Sequence, residues 1–257
     1  MKRTIVSFIT GSGTGLGKRT AIELAAKGSH LVLNYVNSEK ETKQLALLLE
    51  KTYGINTLVL KGDISKFEEC QLMVSRAIEH FGQIDILVNN AGPYIFERKQ
   101  MIDYAIEEWD YMINGNLNSV FYLCKLTIPF MRKQGWGRIV NIGFDRAETA
   151  PAWKYRSAFA AAKVGLVSLT KTLALEEAQN KITVNMVCPG DIVGDWKEAD
   201  IEQAKMHMDK GTPVQRAGTG EDIARMISFL CEEKSDFITG AVISVTGGKD
   251  VLAKVKE

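Results

Sequence analysis

Along this chain, short runs rich in valine, isoleucine and leucine alternate with stretches whose apolar residues recur every three or four positions. The runs lie at 4–10, 30–34, 56–61, 85–89, 137–142, 183–188 and 241–245. Their length and near-continuous hydrophobicity predict strands buried on both faces. The stretches between them predict helices. Residues 38–51 place Leu45, Leu48 and Leu49 on one face, with Ser38 as N-cap and Glu41 completing a capping box. Residues 66–81 read as another helix, ended by Gly82. The segment 109–131 predicts two helical pieces, and 152–179 one long helix. The alternation predicts an α/β fold, a doubly wound seven-stranded parallel sheet with helices on both faces, in a single domain spanning 1–257. Such a sheet binds its ligands at the carboxyl ends of the strands. The least patterned stretch, 191–217, follows the sixth strand and carries Gly194, Gly211 and Pro213. A lid over the site is expected there, with an ordinary surface insertion as the alternative.

Composition narrows the function classes. With 46% hydrophobic and 25% charged residues among 257, the chain can fill a core. A net charge of +1 offers no handle on nucleic acid or on an anionic membrane, so neither is expected as a partner. The apolar run at 5–9, broken by Ser7, is too short for a signal peptide or a membrane span. Cys70, Cys124, Cys188 and Cys231 form no C-x-x-C pair, so buried free thiols, a reducing cytoplasm and no metal site are expected.

Chemistry enters at the end of the first strand, where Thr10-Gly11-Ser12-Gly13-Thr14-Gly15-Leu16-Gly17 runs directly into a helix. Gly11 permits a tight turn, Gly15 lets backbone approach a pyrophosphate, and Gly17 lets the helix pack closely on the strand. The helix N-terminus then offers free N–H groups to phosphates. With Asn89-Asn90-Ala91-Gly92 after the fourth strand, Pro189-Gly190 after the sixth, and Ile238-Thr239-Gly240 and Gly247-Gly248 near the end, the whole chain resembles the short-chain dehydrogenase/reductase family. Within it, the glycine loop, Asn34-Tyr35 and the tail look most like 3-oxoacyl-acyl-carrier-protein reductases. The resemblance implies a Rossmann-type fold holding a nicotinamide dinucleotide. Ser12, Thr14, Leu16, Pro189, Gly190 and Ile192 would line the cofactor, and Asp63 and Ile64 would bracket the adenine. Asn90, Ala91 and Gly92 would support the adenosine side, and Lys163 would hold the nicotinamide ribose. The second strand ends Leu33-Asn34-Tyr35 with no carboxylate before Glu39, and Lys18 follows the glycine loop. Nothing there repels a 2′-phosphate, which favours NADP(H) over NAD(H). The alternative for Asn34 and Lys18 is solvated surface, which leaves that choice open.

The resemblance also implies a reaction centre of Asn, Ser, Tyr and Lys. Asn116 and Lys163 match it. Phe159 stands at the tyrosine position, and Asn141-Ile142-Gly143-Phe144 lacks the usual serine. The segment between these positions is two residues longer than usual, and Gly194 replaces a common threonine. Three proton sources are open: Tyr155, one turn before Phe159 if the helix starts early; Asp145; or a water held by Asn116 and Lys163. Plainer roles are a tyrosine packed beside Trp153, a helix cap or partner of Arg146, and an aromatic wall at Phe159. The resulting readings are a carbonyl reductase, a nucleotide binder without turnover (a sensor or an inactive partner subunit), and, on Asp145 alone, a pteridine-type reductase. A carrier-bound acyl thioester would meet a basic mouth, for which Arg98, Lys99, Arg132 and Lys133 are candidates. The family resemblance implies a homotetramer. It would form through one face bearing Leu117, Val120, Phe121, Cys124, Ile128 and Met131, and another bearing Ala158, Ala161, Ala162, Gly165, Leu166 and Leu169. Monomer core is the alternative for both.

Overall fold

Seven short apolar segments pair edge to edge, the inner ones buried on both faces with no other partner for their backbone polar groups and the two edge strands only half-buried. The computed structural model describes residues 3–250 and 252. In chain order its main elements are β1 (Val6–Ile9), α1 (Gly15–Ala26), β2 (His30–Tyr35), α2 (Glu39–Tyr53) and β3 (Thr57–Lys61). These are followed by α3 (Phe67–Phe81), β4 (Ile86–Asn89), α4 (Ile106–Ile113), α5 (Ser119–Gln134) and β5 (Gly137–Ile142). The last are α6 (Ser157–Glu177), β6 (Ile182–Pro189), α7 (Ile201–Lys205), α8 (Gly220–Leu230) and β7 (Val242–Val245). The sheet is parallel throughout, in the order β3-β2-β1-β4-β5-β6-β7. The strand order reverses between β1 and β4, which opens a crevice beyond their carboxyl ends. One apolar core lies under α3, α5 and α6, the other under α1, α2 and α8.

All seven predicted strands form, within two residues of their expected ends. The helices depart more. Ser38 does precede α2, but its side chain makes no capping bond; Thr42 Oγ1 instead donates to Ser38 O at 2.6 Å. Gly82 ends α3 in the left-handed region (φ 76°). The two pieces expected over 109–131 are α4 and α5, joined through a π-helical turn, Asn114–Asn118, and starting earlier, at Ile106.

The long helix expected from 152 begins only at Ser157, because Ala150 (φ 48°) and Tyr155 (φ 68°) take left-handed backbone before it. Tyr155 is therefore not on the helical face of Phe159. By length and composition the helix over Ser157–Asn180 could cross a membrane; here it packs in the core and carries the buried Lys163. Most of the apolar stripes proposed for assembly are core as well. Val120, Cys124, Ile128, Met131, Ala158, Ala162 and Leu166 are buried within the protomer, while Phe121 is 49% exposed. The four cysteines are buried and free, and burial pushes each thiol up to about 12, which leaves no reactive thiolate.

Candidate active site

Loops following β1, β4, β5 and β6 enclose a cleft of about 690 Å³ at the carboxyl edge of the sheet. The glycine loop forms one end of it. Gly11 sits at φ +58°, and a Cβ there would lie 2.9 Å from that of Ala91. A Cβ on Gly17 would lie 2.2 Å from Gly11 O, so only hydrogen fits between α1 and the turn. Thr10 Oγ1 accepts from the N–H groups of Asn90 and Ala91, and Asn90 Nδ2 donates to Thr10 O at 2.9 Å. These bonds stitch the loops after β1 and β4 together.

Asn34 is a strut in this frame and not solvated surface. It is 1% exposed, its Oδ1 accepts from Gly11 N at 3.1 Å, and its Nδ2 donates to Gly62 O at 2.9 Å. Lys18 likewise is engaged: its Nζ donates to Glu198 Oε2 at 2.6 Å. The nearest carboxylate past β2, Glu39, pairs with Lys43 at 2.6 Å.

Gly11, Thr14, Gly15, Leu16, Asn90, Ala91, Gly92, Pro189, Gly190 and Ile192 line the cleft together with Asn116, Asp145, Phe159 and Lys163. Ser12, Gly17, Asn34 and Tyr35 do not line it; Ser12 N and Oγ donate to Asn34 O, and the Tyr35 hydroxyl bonds to Glu39. Beyond β3, Asp63 turns its carboxylate onto Ser65, and Ile64 packs into the core.

At the other end, the π-helical turn presents Asn116, whose Nδ2 donates to Pro93 O and Met112 O at 2.9 and 3.0 Å. Its Oδ1 is buried without a partner among the described residues. A buried acceptor left so is a place for a water or ligand donor. Lys163 is 4% exposed and its Nζ donates to Ile142 O at 2.8 Å. Burial lowers its pKa to about 8. The ammonium is thus the form present below about pH 8. If that charge serves the reaction, kcat/KM for reduction should be flat below this value and fall as pH rises through it. A pH–rate profile checks the expectation.

Where the family resemblance implies tyrosine and serine, five rings gather. Tyr94 meets Phe159 edge-on at 5.0 Å between centroids, and Phe144 lies 5.0 Å from Trp153 and 6.0 Å from Phe159; Tyr94 also touches Phe96. Lys163 Nζ stands 5.8 Å from the Phe159 centroid. Tyr155 does not line the cleft; its ring lies under Lys154 Nζ at 4.9 Å. Asp145 does line it, 5% exposed, and accepts from Ser244 Oγ at 3.0 Å, while Arg146 pairs with Asp250.

Sequence reasoning missed three residues. Tyr94 follows Gly92-Pro93 on the β4 loop and brings the phenol nearest to the Phe159 ring. Arg156 Nε donates to Tyr94 Oη at 2.6 Å, and its other nitrogens hold Phe96 O, Glu97 O and Tyr155 O. Glu198, in the expected lid, reaches the glycine loop: its Oε1 accepts from Gly15 N at 2.8 Å. The segment expected to form the lid holds a helical turn Gly194–Lys197, α7 and a bridge between Met208 and Arg216. Gly194 opens it at φ +55°.

The basic mouth shrinks. Arg132 and Lys133 end α5, beside the start of β5, at the opposite edge of the sheet from the cleft. Arg132 is paired with Glu177, and Lys99 with Glu108 and Glu97. Among the described residues no group of three or more His, Cys, Asp or Glu could hold a metal.

The residues present fit a dinucleotide: the loop leaves no room for a side chain at Gly17, the first turn of α1 already takes an anionic carboxylate, and the buried Asn116 Oδ1 has no hydrogen-bond partner among the described residues. A family described as enoyl-(acyl carrier protein) reductase matches residues 11–250. The "putative oxidoreductase YtkK" of Bacillus subtilis strain 168 is 53% identical over 96% of this chain and 97% of its own. The 3-oxoacyl-[acyl-carrier-protein] reductase FabG of Staphylococcus aureus is 34% identical over 96% and 99%. Among solved structures, a "putative 3-oxoacyl-reductase" from Bacillus thuringiensis superimposes with a TM-score of 0.90 at 50% identity, covering 97% of this chain and 100% of the other. A blue fluorescent protein from a metagenomic library, solved in complex with NADPH, gives 0.82 at 30% identity, covering 95% and 97%.

Proposed function

The chain belongs to the short-chain dehydrogenase/reductase family, and on that premise we propose that it is an NADP(H)-dependent carbonyl reductase acting on a 3-oxoacyl thioester or a similar ketone. The observation that carries the reading is the convergence of the glycine loop, Asn116 and Lys163 in one cleft. When bound, the dinucleotide supplies the hydride. Gly11, Thr14, Gly15 and Leu16 would hold its phosphates, Lys163 its nicotinamide ribose, and Pro189, Gly190 and Ile192 its nicotinamide end. Asp63 and Ile64 would flank the adenine.

The chain's own task is to deliver a proton to the carbonyl oxygen, and Tyr94 is its source in this reading. Arginine has no acceptor, so Arg156 Nε–H donates to Tyr94 Oη and the phenolic hydrogen points elsewhere. No described residue accepts that hydrogen. The guanidinium then faces the oxygen that becomes negative when the proton leaves. Asp145 is the second candidate donor. A water between Asn116 Oδ1 and Lys163 Nζ would relay the replacement proton. The aromatic wall suits an apolar chain next to the carbonyl.

Oxidation of NADPH on adding acetoacetyl thioesters or small diketones, with a hydroxyl product, tests the reading; no oxidation by any of them contradicts it. NADPH is expected to bind about tenfold tighter than NADH, because no free carboxylate faces the end of β2. Parallel titrations measure the ratio. A cytoplasmic homotetramer completes the reading, supported by the exposed Ile106, Tyr111 and Phe121 on α4 and α5 and by the free cysteines. Nucleotide binding without turnover is the second reading, favoured by the carbon-only rings of Phe144 and Phe159. A pteridine-type reductase rests on Asp145 alone.

A further inference from the structure

The N-terminus of α1 is occupied. Glu198 Oε1 accepts from Gly15 N, the first N–H of the helix, at 2.8 Å, and Glu198 Oε2 accepts from Lys18 Nζ at 2.6 Å. A carboxylate with two oxygens, one on a helix-terminal N–H and one on a lysine, makes the contacts that a phosphate of a dinucleotide would make there. Partial burial opposes its charge, but Lys18 and the Gly15 N–H outweigh this and hold the carboxyl below its usual range. Glu198 belongs to the segment that covers the cleft. It follows directly on the turn Gly194–Lys197, and the preceding Lys197 lines the cleft beside Thr14, Gly15 and Leu16. Asn116, whose Oδ1 is buried without a partner among the described residues, lines the far end of the same cleft.

We infer that Glu198 is a built-in phosphate mimic that latches the lid onto the glycine loop, and that a dinucleotide binds by displacing it. Two like charges cannot share one N–H and one ammonium at contact distance, so the exchange is competitive. On displacement the lid turn Gly194–Lys197 swings off α1, and Gly15 N and Lys18 Nζ pass to the pyrophosphate. Without dinucleotide the latch shields the glycine loop; its release couples loading of the phosphate end to opening of the lid. The latch is weak by construction, since Lys18 and Glu198 side chains are 35% and 37% exposed, so it delays and taxes binding without preventing it.

The inference rests on the dinucleotide reading above, and calorimetric titration with NADPH and NADH separates the two. Glu198→Gln and Glu198→Ala should bind either nucleotide about threefold to tenfold tighter than the wild type, the size expected for losing one partly exposed ion pair with a helix-terminal contact. Glu202→Gln removes a lid carboxylate that pairs only with Lys205 among the described residues, and should leave binding unchanged. In the nucleotide-free protein, the Gly15 amide should exchange its hydrogen faster in both Glu198 variants. Equal nucleotide affinity in wild type and both Glu198 variants overturns the latch and leaves the dinucleotide reading standing. Tighter binding in Glu202→Gln as well would reduce the effect to general lid charge and overturn it too. No binding by any form overturns both.

Discussion

Replacing Tyr94 by phenylalanine is expected to lower carbonyl reduction by about 10²–10⁴-fold, the usual worth of a positioned acid, and to leave NADPH binding as it is. The change removes one oxygen from a ring that otherwise keeps its edge contacts with Phe159 and Phe96. Arg156 retains its bonds to the carbonyls of Phe96 and Glu97, so the loop should stay in place. Steady-state kinetics on the wild type, Tyr94→Phe and Asp145→Asn assign the proton donor: the larger loss marks the acid. A second substitution sharpens the result. Phe159→Tyr, added to Tyr94→Phe, puts a phenol on the neighbouring ring, 5.0 Å away between centroids, and should restore part of the lost rate. An unaltered rate in Tyr94→Phe would remove Tyr94 from the reaction.

Lys163→Met should separate stability from function. The ammonium is buried, with Ile142 O as its hydrogen-bond partner among the described residues. Burial drops its pKa from 10.5 to about 8. A lysine whose folded pKa lies below its unfolded one destabilises the fold while charged; the penalty is complete below about pH 8 and is relieved as pH rises toward 10.5. Methionine fills similar space without charge. At pH 7 the variant should gain on the order of 2 kcal/mol, after the lost bond to Ile142 O is set against the relieved charge. The gain should shrink at pH 10. Reduction should meanwhile fall by at least about 10²-fold and NADPH should bind more weakly, as expected where a strained group is kept for its chemistry. Thermal melts at the two pH values and a nucleotide titration check both halves. A variant that melts lower at pH 7 would mean that the ammonium has partners which repay its burial.

The parts of the fold that were legible in the sequence are those governed by local rules. Strands buried on both faces read as continuous apolar runs, and the glycine loop declares itself because Gly17 must pass within van der Waals contact of Gly11 O. Asn116 and Lys163 were legible only through family resemblance, but the cleft does bring them together. The misreadings share a cause: each depends on a partner distant in sequence. Asn34 reads in sequence as a cofactor-side residue, with solvated surface as the alternative; neither reading foresees that its amide spans Gly11 and Gly62. Helical periodicity ran through Tyr155, yet Arg156 is drawn onto the carbonyls of the β4 loop, about 60 residues back, and the backbone before Ser157 turns left-handed. Tyr94 sat in a loop without period, though its place past the carboxyl end of a central strand is where function concentrates. Glu198 meets Gly15 across 183 residues, a contact no local pattern encodes. Arg132 and Lys133 looked like a mouth because charge was read without direction; α5 runs against the strands and carries them to the far edge.

Hydride transfer itself is the most direct test of the central claim. NADPH carrying deuterium at its reactive carbon would be incubated with the protein and an acetoacetyl thioester, and the product examined by mass spectrometry. One deuterium on the new carbinol carbon, appearing in the wild type and strongly slowed in Tyr94→Phe, is the predicted result. Saturable NADPH binding with no deuterium in any product, across thioesters and simple diketones alike, would contradict the reductase account and leave a nucleotide binder in its place.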